Sequence, residues 1–301
     1  MKYVMEILPS NLKEELHKID TEKITELRLR VGEKCIVRLG IVEEILDVIV
    51  TKKIIMDILK NVTTSSIYAI QNELNNGFLT IKGGHRIGIT GEVVYLDGKI
   101  KNIKNIYSMN IRIAREIKGI SDVVLKYILR DKNFANTLIM SPPGCGKTTM
   151  LRDVIRELSN MGYNIGLIDE RGEIASINNG EKTLDVGKRT DILSYCSKEQ
   201  GITMLTRSMA PDIIATDEIG TKEEINAIYN ASKTGVKMLF TIHGETKEDL
   251  IQNEEYSSLL KNGNFKNLII LDNKKGPGNI KEIYTDLESI VKEKQEELIW
   301  N

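Results

Sequence analysis

Cysteine is scarce: only Cys35, Cys145 and Cys196 occur, odd in number, far apart and never in a C-x-x-C pair. That excludes a disulfide framework and a tetracysteine zinc cage, and it fits a reducing compartment. Aromatic residues make up only 5% of the 301 positions, so the core has to be aliphatic. No one sign of charge prevails: 42 Lys and Arg stand against 43 Asp and Glu, a formal net charge of −1. A chain so balanced has no overall field to hold it on nucleic acid or anionic lipid, and any such contact has to be local. No apolar run approaches the ~18 residues of a membrane span. The start, MKYVMEILPSNLKEELHKID, carries acids where a signal peptide is apolar, so a cytoplasmic protein is expected, reaching a membrane only through partners. Internal repeats and low-complexity segments are also missing.

With 41% hydrophobic and 28% charged residues, what remains is an ordinary globular composition, long enough for two domains. In the first part, Leu12 to Ile19 reads as an amphipathic turn. Ile24 to Leu39 alternates as a strand pair turning at Gly32, and Lys52 to Asn61 is helical, with Ile54, Ile55, Ile58 and Leu59 on one face. Residues 77–103 repeat a period of two around Gly-Gly and Asp-Gly turns, the pattern of antiparallel hairpins. This part is predicted to be α+β.

After Arg115 the pattern changes. A helix (Ser121 to Leu129), an apolar strand (Thr137 to Met140), a Gly-rich turn, a helix (Lys147 to Asn160) and a strand (Asn164 to Asp169) lead to further apolar runs at Ile213 to Thr216 and Lys237 to Ile242. Strands alternating with helices imply a parallel α/β sheet covered on both faces. The predicted domains are 1–118 and 119–301, with the boundary where Gly119 interrupts the pattern. The end, ESIVKEKQEELIW, reads as a charged amphipathic helix, more readily a solvated face than an interaction tail.

The segment SPPGCGKTT, Ser141 to Thr149, lies directly between an apolar strand and a helix, where such a string forms a phosphate-binding loop. Pro142, Pro143, Gly144, Cys145, Gly146, Lys147, Thr148 and Thr149 are the candidate nucleotide contacts. Backbone amides and the helix N-terminus suit a β-phosphate, Lys147 reaches the β- and γ-phosphates, and the Thr148 hydroxyl suits magnesium. Ser141 replaces the first glycine of the strict pattern. Cys145, near a helix N-terminus, is a candidate activated thiol.

A phosphate loop needs a second, acidic site, and PDIIATDEIG (Pro211 to Gly220) offers one at a strand end. Asp217 would hold magnesium and Glu218 would orient or deprotonate water; the alternative is an acidic pair capping the helix near Thr221. A second acidic strand end carries Asp169, Glu170 and Arg171, with Glu170 the preferred auxiliary acid and Asp169 behind it, against a surface turn paired through Arg171 and Glu173. His243 closes another strand together with Thr241 and is a candidate γ-phosphate sensor, whereas His17 reads as structural. Arg207 is a candidate cation from within the chain, and Arg86, Arg112 and Arg115 are candidates from a neighbouring subunit, each with a surface ion pair as its ordinary alternative.

The blocks SPPGCGKTTMLRD, LIDERGEIA, MLTRSMAPDIIATDEIG and NASKTGVKMLFTIHG together resemble the ATPases of bacterial type II and type IV secretion: a phosphate loop, an acidic box, a Walker-B strand and a histidine box. TELRLRVG, GGHRIGITGE and IRIAREIKGISD bring the chain closer to the stage III sporulation AA family of spore-forming Firmicutes, with matching blocks over about nine tenths of the chain. The resemblance implies a P-loop NTPase of the RecA/AAA-like kind behind a smaller α+β amino-terminal domain. It also implies a cytoplasmic, ring-forming homo-oligomer, a hexamer, in the mother cell, using ATP and Mg2+ with membrane proteins of a secretion-like complex as partners; nucleic acid is not an expected partner. Two features depart from the secretion motors: Asp217-Glu218 stands where they carry Gly-Glu, and the tetracysteine element is missing.

Other readings stay open. Asp217 to Gly220 spells the D-x-x-G of a GTPase switch, and Asn273-Lys274 begins an N-K-x-D-like run, but Gly276 stands where a carboxylate would read guanine. An AAA+ ATPase acting on DNA and a nucleotide-gated scaffold with little turnover are the other two.

Overall fold

A computed structural model of the chain describes residues 1–40, 42–63, 74, 77–131, 133–178, 180–263, 265–287 and 289. The C-terminal helix expected from Glu288 onward lies essentially outside the described residues. The chain divides into two compact units: residues 1–115 with 176–183, and residues 116–175 with 184–301.

The first unit opens with α1 (Lys2–Ile7) and α2 (Ser10–Leu16), followed by β1 (Ile24–Arg30), β2 (Lys34–Leu39) and β3 (Val42–Ile49). Helix α3 (Lys52–Thr63) and strands β4 (Phe78–Ile81), β5 (His85–Leu96) and β6 (Lys99–Arg112) complete it. The six strands form one antiparallel sheet in the order β3-β2-β1-β6-β5-β4. The turns are set by residues that tolerate positive φ: Gly32 (90°) between β1 and β2, and Asp97-Gly98 (50° and 74°) between β5 and β6. Val4, Leu12 and Leu16 from α1 and α2, with Ile54, Ile55 and Ile58 from α3, pack with Leu27, Leu29, Val37 and Ile111 from the strands into an aliphatic core. Strand β3 was not anticipated, because VEEILDVI breaks strict alternation at Glu43-Glu44.

The second unit holds α4 (Asp122–Ile128), the short pair β7 (Leu129–Arg130) and β8 (Asn133–Phe134), β9 (Thr137–Ser141), α5 (Lys147–Asn160) and β10 (Ile165–Asp169). The chain then gives the small hairpin β11 (Ile177–Asn178) and β12 (Glu181–Lys182) to the first unit, where Gly83 N–H donates to Thr183 Oγ1 at 2.9 Å. It resumes with β13 (Thr190–Ser194), α6 (Lys198–Ser208), β14 (Ile213–Thr216), α7 (Lys222–Ser232) and β15 (Lys237–His243). Helices α8 (Lys247–Gln252) and α9 (Glu254–Gly263) and strands β16 (Asn267–Asp272) and β17 (Asn279–Tyr284) end it.

The sheet of this unit runs β13-β10-β14-β15-β9-β16-β17, parallel throughout except for the antiparallel edge strand β17. Strands β9, β10 and β14 are buried at every residue, as a parallel sheet covered on both faces requires. Met150, Leu151, Val154 and Ile155 of α5 are fully buried, and Phe240 meets Phe265 with ring centroids 6.0 Å apart. The strand order has a consequence for the site. β15 lies between β9 and β14, so its C-terminal residues fall between the Gly-rich loop and the Asp217-Glu218 pair.

Candidate nucleotide site

The loop after β9 enters α5 through Gly146, the helix N-cap, at φ 86°. A Cβ there would also lie 2.5 Å from the Gly278 backbone nitrogen, and Gly278 N–H donates to the Cys145 carbonyl at 2.7 Å. Gly146 is therefore required by its positive φ and by the close approach of the β16–β17 loop. Pro143 and Gly144 are exposed, Pro142, Thr148 and Thr149 half-buried. Cys145 is 5% exposed, its Sγ 3.9 Å from the Pro143 carbonyl oxygen.

Lys147, the first residue of α5, is buried, and burial lowers its pKa while Glu218 and Asp217 oppose the shift. Its Nζ donates to the Ser141 carbonyl at 2.6 Å and stands 3.0 Å from His243 Nδ1. On the far side of the ring, His243 Nε2 lies 3.2 Å from Glu218 Oε1. The second carboxylate oxygen of Glu218 meets Arg171 Nη1 at 3.1 Å. Parts of four sequence blocks, the loop and three strand ends, thus meet in one chain of contacts.

Glu218 has φ 46°, a left-handed conformation that side chains disfavour. Both sides of the residue are held: its N–H donates to Thr241 Oγ1 at 2.9 Å, and its carbonyl accepts from Lys198 Nζ at 2.9 Å. The pair Asp217-Glu218 does not cap α7. Thr221 and Glu224 form that capping box themselves, Glu224 accepting from Gly220 N–H and Thr221 N–H.

Asp217 is buried, and burial, with Asp169 and Glu218 nearby, pushes its carboxyl up to about 6 although Lys198 pulls the other way. Glu170 is half-buried and lies 3.4 Å from Lys198 Nζ. Asp169 has a different duty: its carboxylate accepts from the N–H groups of Glu173, Ile174 and Ala175 at 2.8–3.0 Å. Arg152 of α5 donates to the Ile174 and Glu173 carbonyls at 2.6 Å, gripping the same turn.

Arg207 does not join the group. It is exposed in the last turn of α6, whose first residue is Lys198, and nine helical steps separate the two by about 14 Å. Helix α6 returns antiparallel to the strands, which carries Arg207 to the opposite edge of the sheet from the strand C-termini. In the first unit, Arg86 lies over the Phe78 ring at 3.7 Å, Arg115 donates to the Ile24 carbonyl at 2.8 Å, and Arg112 is exposed on β6. Lys198, unremarked in the sequence, is the cation at the centre of the acidic strand ends.

Among the described residues no group of three or more His, Cys, Asp or Glu could hold a metal by itself. The donors fit magnesium nonetheless. A hard cation of this kind takes one or two protein oxygens and completes its shell with phosphates and water, and a buried carboxyl crowded by other acids gains from a cation beside it.

The model for sporulation stage III, protein AA, matches residues 2–291. Stage III sporulation protein AA of Bacillus subtilis (strain 168) is 35% identical over 293 residues, covering 94% of this chain and 95% of that one. The fold is shared with the ATPase DotB of Yersinia pseudotuberculosis (14% identity, TM-score 0.61, 95% of this chain and 81% of that one). The pilus retraction motor PilT, solved with bound ADP, is also similar (18% identity, TM-score 0.57, 89% and 77%). The second unit therefore has the P-loop NTPase fold, following an α+β unit along the chain, and the chain belongs to the sporulation stage III protein AA family.

Proposed function

We propose that this protein is a magnesium-dependent ATPase that energises the assembly of, or transport through, a secretion-like channel during sporulation, at the stage of forespore engulfment. The observation that carries the reading is the contact series Lys147–His243–Glu218 at the mouth of the Gly-rich loop. It puts a phosphate-seeking cation and a water-directing carboxylate on either side of one imidazole.

In this reading the amides of residues 142–149 bind the β-phosphate, and Lys147 leaves the Ser141 carbonyl to meet the β- and γ-oxygens. Thr148 and Asp217 would hold magnesium, which would supply offsetting positive charge. Glu218 orients a water on the γ-phosphorus and takes its proton, while the bond to the β-phosphate oxygen breaks to leave ADP and inorganic phosphate. His243 reports the γ-phosphate to Glu218, and Glu170 is the auxiliary acid. The protein works as a homo-oligomer, a hexamer, in the mother-cell cytoplasm and meets membrane proteins of the complex there; nucleic acid is not its partner. An arginine from Arg86, Arg112 or Arg115 of a neighbouring copy completes the charge.

Competition of ATP and GTP for one fluorescently labelled site tests the nucleotide. Displacement by ATP with GTP clearly weaker is expected, and a GTP preference would turn the reading toward a switch.

A further inference from the structure

Lys198 occupies a position that helix stability does not explain. It is the first residue of α6, where the helix dipole disfavours a cation, and it is 5% exposed, where an ammonium loses its hydration. Its three partners account for the placement. Nζ donates to the Glu218 carbonyl at 2.9 Å and lies 3.4 Å from both Glu170 Oε2 and Glu224 Oε1. Two carboxylates offset the ammonium, and the shortest contact goes to the main chain of the left-handed residue.

That contact has a mate on the other side of the same residue. Thr241 Oγ1 accepts the Glu218 N–H, and Ile219 N–H donates to the Thr241 carbonyl, so β15 holds one side of the turn and α6 the other. With φ at 46°, release of either side would let Glu218 relax toward ordinary backbone and swing its carboxylate away from His243. We propose that Lys198 is a positioning residue for ATP hydrolysis: it locks the Glu218 main chain in the left-handed turn that aims the carboxylate, and couples that turn to Glu170. This rests on the ATPase reading above. Lys198 touches neither nucleotide nor water in the proposal; its effect passes wholly through Glu218.

The test is a double-mutant cycle on the full-length protein, with phosphate release measured against Mg-ATP. Lys198→Met should lower kcat about 30-fold while KM, and the affinity for a fluorescent ATP analogue, stay within about threefold. Lys198→Arg, which keeps the charge and a donor, should recover most of the loss. In a Glu218→Gln background, adding Lys198→Met should change turnover by no more than about twofold, because the group it positions is already gone. Unchanged kcat in Lys198→Met, a loss carried by KM, or an equal loss in both backgrounds would overturn the proposal. Should Lys198→Met fail to fold by circular dichroism, Lys198→Gln, which loses charge and reach, takes its place with the same expected and opposing results. The two readings fail differently: wild-type turnover in Glu218→Gln removes the ATPase assignment of Glu218, whereas a slow Glu218→Gln beside a fast Lys198→Met removes only the role of Lys198.

Discussion

Lys147 Nζ and His243 Nδ1 stand 3.0 Å apart. An ammonium only donates, so the imidazole accepts at Nδ1 and carries its proton on Nε2, where it donates to Glu218 Oε1 at 3.2 Å. One tautomer satisfies both contacts, and in the proposed mechanism it makes His243 a relay between Lys147 and Glu218. His243→Ala should therefore lower kcat for ATP about tenfold or more while nucleotide affinity changes less than about threefold. Steady-state kinetics beside equilibrium binding would measure this, and an unaltered kcat would show that the relay has no part in turnover.

The loop makes a second prediction. Gly146→Ala puts a methyl group 2.5 Å from the Gly278 backbone at a positive φ, so the loop and its neighbour have to separate. Nucleotide affinity should fall at least about tenfold, with a loss of stability of about 1–3 kcal/mol. Gly144→Ala has open space around the added carbon and strains φ alone, so it should cost less in both titration and thermal melting.

Cys145 offers a chemical probe of the same loop. Its thiol is buried, so alkylation should proceed only as the loop opens, and saturating Mg-ATP should slow it further. Mass spectrometry of the modified peptide over time is the readout. Equal rates with and without nucleotide would place the ligand elsewhere.

The pH dependence of stability has one clear source in the first unit. His85 is 3% exposed, accepts the Ala114 N–H at its Nδ1, and is depressed to about 4, chiefly by burial. Below pH 6.5 the unfolded chain binds a proton there that the folded chain refuses until about pH 4. Stability from this residue is thus complete above pH 6.5 and is lost as pH falls to about 4, by up to about 3 kcal/mol. Urea titrations at several pH values should show that slope, and His85→Gln should flatten it; an identical slope in both proteins would assign the effect to other groups.

Much of the second unit was legible in the sequence because its strands are short aliphatic runs with abrupt ends. TLIM, NIGLID, DIIAT and MLFTIH each become a buried parallel strand ending at or beside a chemically marked residue. Strand β13 and the hairpin β11–β12 were not legible, since SINNGEKTLDVGKRTDILS has no sustained apolar period and its placement depends on tertiary partners such as Gly83. The loop, Asp217, Glu218 and His243 could be singled out as candidates because each stands beside a strand end. Lys198 was not, since a lysine in the first turn of a helix ordinarily reads as solvated, and its partners lie 20 residues or more away along the chain. Arg207 shows the converse. Its closeness in sequence to Pro211 suggested reach, but the strand from Ile213 leads away from it to the acids.

The central claim is that the stretch after β9 binds ATP and that Glu218 drives its cleavage. Phosphate release from Mg-ATP by the wild-type chain and by Glu218→Gln tests it most directly. The account predicts steady release by the wild type, and in the variant ATP that stays bound and uncleaved with turnover at least about 100-fold lower. Failure of the wild type to retain ATP with magnesium present, or equal turnover in the two proteins, would contradict it.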